Sequence, residues 1–266
     1  MTVATHNGGG SIPEQWETRV SIIDEDPDLV RNIEPARLAG LRAAAMAPTL
    51  ALEPGIVDHL AELPPPAFGF FVIDGLLTRG VVIQGRRSAE LLGPGDVLRP
   101  RASDDLDPSV PFDVTWEALQ PVRIGVLDAE FAEAVSRWPE MVAALMDRVM
   151  RRAHSLGFHL AVSHLKLVEM RLLVILWYYA DRWGRVTPEG VVLPLRMTHS
   201  LLARIVGARR PSVSTALGRL QERGLVERTE AGHWVLRGQP PGDLEEWPAN
   251  AVSSPSSSQA PGSDVD

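Results

Sequence analysis

The stretch from Leu195 to Leu236 constrains this chain most, because two short amphipathic segments meet there at a glycine. Thr198 is a favourable N-cap, and Leu201, Leu202, Ile205 and Val206 follow it at helical spacing as one apolar stripe. Gly207 predicts the stop. A second helix begins near Arg210, with Pro211 in its first turn, where a missing amide proton does no harm. Val213, Ala216, Leu217 and Leu220 fall on its buried side, and Pro211, Ser214, Thr215 and Gly218 lie opposite. After Gly224, the runs Leu225 to Arg228 and His233 to Leu236 alternate around the turn at 230–232, which predicts a β-wing.

A helix whose outer face is small and polar can approach a groove floor closely. The major groove of B-DNA, about 12 Å wide, admits such a helix, and arginine, serine and threonine bond to its base edges there. Arg210, Pro211, Ser214 and Thr215 fit the base-reading role. Thr198, His199 and Ser200 open the first helix, whose free amides and positive dipole end suit a phosphate, and Arg209, Ser212 and Arg219 flank the reading face. The alternative is a helical hairpin of an ordinary core. Charge separates the two: the chain carries a net charge of -8, yet residues 165–240 hold 12 Lys and Arg against 6 Asp and Glu. The basic segment is the one with the helix pair, as attraction to phosphate requires.

The run from Met197 to Val226 resembles the winged helix of the Crp/Fnr transcription regulators. That family's pattern is roughly Thr-x-x-x-(Ile/Leu)-Ala-x-x-(Ile/Val)-Gly-x-(Ser/Thr)-Arg-x-(Ser/Thr)-Val. The resemblance implies a sequence-specific, homodimeric regulator of double-stranded DNA; the lack of an apolar export segment predicts a cytoplasmic chain, and the lack of a phosphate loop, Ser/His/Asp grouping or nucleophile elbow predicts that it is not an enzyme. Its expected α+β fold is an N-terminal β-roll like a cyclic-nucleotide-binding jelly roll, a long dimerisation helix, and a C-terminal winged helix-turn-helix. Two positions depart from the family: Pro211 and Thr215 stand where a glutamate and a second arginine are common. The operator of a cyclic-AMP receptor therefore does not carry over.

Ahead of this region, residues 68–98 form short β-prone runs punctuated by Gly75, Gly80, Gly85, Gly93 and Gly95, which suit left-handed turns. Together with Pro111–Leu119 and Val122–Asp128 they resemble the roll, and 127–135 resembles the short helix after it. The family's nucleotide binders place Gly-Glu and then Arg-(Ser/Thr)-Ala between two of these strands to hold the cyclic phosphate. The segment from Arg99 to Pro111 has neither, and Asp104, Asp105 and Asp107 add negative charge. Arg99 and Arg101 could form a rearranged phosphate site; solvated loop arginines are the other reading. The expected pocket is empty or built for a different, unknown effector.

From Pro139 to Leu167 the only glycine is Gly157 and no proline follows, which permits one long helix. Val142, Val149, Leu156 and Ser163 recur every seven residues, as do Met146, Ala153, Leu160 and Leu167, so the two sets form a coiled-coil seam. The resemblance places the dimer helix here; packing on its own roll is the alternative. Arg148, Arg151 and Arg152 read as a solvated face. Expected boundaries are a disordered 1–14, the roll at 15–136, the dimer helix at 137–167, the winged domain at 168–240 and a disordered tail at 241–266.

With no cysteine, thiolate-bound iron–sulfur clusters are excluded. His154, His159 and His164 repeat every five residues, which spreads them around a helix as surface groups instead of stacking them for a metal; haem ligation by one of them is the other reading. The apolar run Met170–Ala180 is too short to span a membrane and reads as a buried helix of the winged domain. Two further functions compete: a constitutive DNA-binding dimer whose roll has no ligand and only supports the dimer or contacts RNA polymerase, and a cupin-like metal enzyme. The latter needs clustered ligands, whereas His59 is the only histidine between residues 15 and 136.

Overall fold

The computed structural model describes residues 17–57, 60, 67–99 and 109–242. Residues 1–14, the tail beyond 242, His59, Arg101 and the three loop aspartates lie outside them. The chain forms two compact units, 1–157 and 158–266.

The first unit begins with β1 (Glu17–Ser21), α1 (Ile22–Glu25), α2 (Leu38–Ala44), β2 (Met46–Leu52) and β3 (Gly55–Ile56). The hairpin strands follow: β4 (Gly69–Asp74), β5 (Leu77–Ile83), β6 (Arg86–Leu92) and β7 (Val97–Leu98). Then come β8 (Asp113–Ala118), β9 (Val122–Leu127), α3 (Ala129–Val135) and α4 (Pro139–Ser163). Two antiparallel sheets result, in the orders β1-β2-β9-β4-β7 and β3-β8-β5-β6. Phe70-Phe-Val-Ile on β4 is apolar without alternation because both of its faces are covered. Phe70 and Val72 point into one core with Leu77, Leu92, Trp116 and Ile124, while Phe71 and Ile73 meet Ile22, Leu41, Phe131, Met141 and Leu145 in the other.

The glycines divide by role. Gly75, Gly85 and Gly95 have positive φ, as a left-handed turn requires, but Gly80 and Gly93 do not. Gly80 lies inside β5, where an added Cβ would stand 2.4 Å from Thr115 Oγ1 on the neighbouring β8; close approach, not a turn, selects glycine there.

The face of α4 turned to the roll corrects the expectation of solvated arginines. Met141 and Leu145 are buried on it, and so is Arg148, which meets Asp26 at 2.5 Å. Arg152, one turn further, donates Nε and an Nη to the two carboxylate oxygens of buried Glu90 on β6. Only Arg151 remains exposed. The reason is helical: 141, 145, 148 and 152 form a stripe one residue, or about 100°, from the seam at 142, 146, 149 and 153. The seam itself is left outward. Met146, Val149, Ala153, Leu156 and Leu160 are exposed and Val142 is half-buried against the roll.

The second unit holds the end of α4, then α5 (Val168–Trp183), β10 (Arg185–Thr187), β11 (Gly190–Leu193), α6 (His199–Ile205), α7 (Arg210–Glu222), β12 (Val226–Arg228) and β13 (Trp234–Leu236). The strands pair as β10-β11-β13-β12. α5 is the buried helix expected from Met170–Ala180. The long helix ends at Ser163, short of Leu167, although no glycine or proline stands there. The carbonyl of Leu165, which would accept from an amide four residues on in a continued helix, instead accepts from Arg171 Nε at 2.7 Å. His159 is also no surface group: it is half-buried and shares a 2.9 Å hydrogen bond with the hydroxyl of Tyr179. No helix among the described residues is long and apolar enough to cross a membrane.

Candidate nucleic-acid interface

Local chemistry builds the helix pair. Thr198 Oγ1 accepts from the Leu201 amide at 3.1 Å and caps α6, whose Leu201, Leu202 and Ile205 are buried, as is Val206 just after it. Gly207 takes φ 63° and ends the helix. There the Arg171 guanidinium donates to the carbonyls of Val206 and Gly207 at 3.2 and 3.4 Å, so one side chain serves both the linker at Leu165 and the turn between the helices. α7 begins at Arg210 with Pro211 beside it and buries Val213, Ala216, Leu217 and Leu220, the four residues its periodicity predicts.

The opposite side is open. Arg209, Arg210, Pro211, Ser212, Ser214 and Thr215 are exposed on the first two turns of α7, with Thr198 and Ser200 exposed beside them on α6. Neither Arg209 nor Arg210 has an acidic partner among the described residues. Arg219 differs. It is exposed, yet it donates to Glu169 on α5 at 2.8 Å, and Arg223 approaches the same carboxylate at 3.6 Å. Glu169 is buried, so this contact tethers the second half of α7 to α5 and offsets the cost of desolvating the carboxylate.

The wing closes the site. Arg228 pairs with Trp234 across β12 and β13, and its guanidinium lies 5.6 Å from the indole centroid. The turn returns through Gly232, at φ 81°. His199, the first residue of α6, is half-buried and its Nδ1 lies 2.9 Å from Ser214 Oγ on α7. Burial holds the imidazole below its ordinary pKa, and the positive charges of Arg228 and Arg210 lower it further. Sequence reasoning placed His199 and Ser214 in separate roles and did not single out Arg228. The alternation of 225–228 was the available signal for Arg228; nothing local announces the His199–Ser214 contact.

Residues 170–238 match the Crp-like helix-turn-helix domain. This segment, about a quarter of the chain, is a Crp-like helix-turn-helix. Solved structures extend the likeness over the roll, as a matter of fold. A CooA variant from Carboxydothermus hydrogenoformans is 17% identical with a TM-score of 0.57, over 79% of this chain and 90% of that one. FixK2 from Bradyrhizobium japonicum is 17% identical with a TM-score of 0.55, over 72% and 93%. A Crp/Fnr-family regulator from Eubacterium rectale is 18% identical with a TM-score of 0.50, over 80% and 94%. Among curated proteins none matches the chain as a sequence relative.

In the roll, Arg99 is exposed and its guanidinium donates to the carbonyl of Ala67, while residues 100–108 of the segment that would hold a cyclic phosphate lie outside the described residues. Glu90, Arg152 and half-buried Arg79 form a charged group where α4 meets β5 and β6. Burial keeps the Arg79 guanidinium below its ordinary pKa, with Arg152 adding to the effect and Glu90 opposing it.

Proposed function

We propose that this chain is a cytoplasmic, non-enzymatic transcription regulator of the Crp/Fnr type that binds double-stranded DNA as a homodimer on an inverted repeat. The observation that carries the reading is the exposed face of α7 in the Crp-like domain. Arg210, Pro211, Ser214 and Thr215 face outward there while every large apolar side chain of the helix faces inward. Arg210 and the two hydroxyls read base edges; Thr198, His199, Ser200, Arg209 and Ser212 meet phosphates, and Arg219 does so from its tether on Glu169. The dimer is supported by the exposed apolar row Met146, Val149, Leu156 and Leu160 on α4, which a second copy would cover.

A second reading is favoured by one observation. The side of α4 facing the roll is occupied by the ion pairs of Arg148 and Arg152, each already answered by an acid of the roll. A contact that is satisfied from within needs no effector to complete it, which supports a constitutive dimer not responsive to cyclic AMP. Selection of bound sequences from a random duplex library, with and without added cyclic nucleotide, tests both readings. An inverted repeat enriched without ligand is the expected result; the absence of any enriched sequence would reject DNA recognition.

A further inference from the structure

The hydrogen bond between His199 and Ser214 joins the start of α6 to the exposed face of α7. A serine hydroxyl has one proton and two lone pairs, and a neutral imidazole has one N–H and one lone pair. The direction of this bond therefore decides what Ser214 can show to a base. His199 is the first residue of α6, where unsatisfied amides carry partial positive charge, and Arg210 of α7 and Arg228 of β12 add full positive charge around the ring. Such surroundings favour a neutral ring, which keeps one nitrogen lone pair free to accept.

We propose that His199 is a positioning residue that makes Ser214 an acceptor-only reader, selecting adenine or cytosine at the base it meets. Nδ1 accepts the single hydroxyl proton, and the lone pairs of Oγ turn outward. In the major groove only adenine N6 and cytosine N4 offer donors; guanine and thymine offer acceptors and a methyl group. An unconstrained serine could rotate its proton to suit either kind of edge, so the histidine converts an ambiguous contact into a selective one. The inference rests on α7 as the base-reading helix and goes beyond it in naming the base class and the residue that imposes it.

The test uses the full-length protein, operators selected from a random duplex library, and competitive titrations of single-base variants at fixed salt. Ser214→Ala identifies the position that Ser214 reads. There the wild type should prefer adenine or cytosine by about two- to ten-fold, the range of one net hydrogen bond. His199→Ala should flatten that preference while leaving the Arg210-dependent position unchanged. His199→Asn, whose amide oxygen can accept the same proton, should restore it, a rescue that a merely structural role would not follow. Should His199→Ala fail to fold, the asparagine variant decides alone: folded but without the preference, it overturns the proposal. Guanine or thymine at the Ser214 position, no position sensitive to Ser214→Ala, or an unchanged preference in folded His199→Ala would each overturn it while leaving DNA recognition intact. Absence of any selected sequence would instead reject recognition by α7, and the inference with it.

Discussion

Arg152 on α4 grips Glu90 on β6 with two hydrogen bonds, at 2.8 and 2.9 Å, and so ties the long helix to a strand of the roll. Both side chains are largely withdrawn from water, at 18% and 7% exposure. Removing one member of a buried pair strands the other charge, at a cost of about 3–5 kcal/mol. Glu90→Ala would leave Arg152 beside Arg79 without its hydrogen-bonded acid. Its melting temperature is expected to fall by roughly 10 °C. Glu90→Leu combined with Arg152→Met should recover most of the loss, because two apolar residues of similar size replace the pair without an orphaned charge. Differential scanning calorimetry of the two variants checks this.

Arg210→Ala should lose operator discrimination and keep its fold. The side chain is exposed and takes no part in the packing of α7. A bidentate arginine–guanine pair contributes about 1–3 kcal/mol of discrimination. A salt-controlled titration against operator and random DNA measures it, and retention of the full ratio would reject Arg210 as a base reader.

Aspartates at Val149 and Leu156 together should give a monomer with weakened operator binding. Both positions are exposed, at 42% and 43%, so the monomer fold tolerates the change, whereas a two-fold seam would bring like charges together. Sedimentation velocity reports the outcome, and an unchanged coefficient would place the dimer interface elsewhere.

Cyclic AMP and cyclic GMP should bind weakly or not at all. The segment from Arg99 to Pro111 lacks the family's Arg-(Ser/Thr)-Ala, and a phosphate buried without a paired cation costs several kcal/mol. Calorimetric titration decides, with micromolar binding as the contrary result.

Acidification should weaken the winged domain through His199. Its folded pKa lies below the ordinary value of 6.5, so as pH falls the unfolded chain takes the proton first. Stability is then fully present above about 6.5 and declines as pH drops through the depressed folded value. The ring is partly solvated, so the effect is small. Urea denaturation at about pH 7.5 and 5.5 should show a smaller difference in His199→Asn than in the wild type.

The helix pair of the Crp-like domain is legible in the sequence because each of its signals is local. A cap at Thr198, apolar spacing over 201–206 and 213–220, a stop at Gly207 and a proline in a first turn all act within a few residues of themselves. The strands of the roll are legible for the same reason, down to the turns at Gly75, Gly85 and Gly95. What tertiary structure alone decides are contacts between groups far apart in the chain. Periodicity on α4 marks an apolar seam, but it cannot tell that the arginines one residue away meet Asp26 and Glu90 instead of water. Composition permits the long helix to continue past Ser163, yet the His164 and Leu165 amides close tight turns onto Ala161 and Val162 there, and Arg171 holds the Leu165 carbonyl while also capping the turn at Val206 and Gly207. His199 and Ser214 each look like an independent polar contact until α6 and α7 pack and bring them to 2.9 Å. Propensity and spacing are properties of a segment, whereas an ion pair or a side-chain hydrogen bond is chosen by whichever partner the fold delivers.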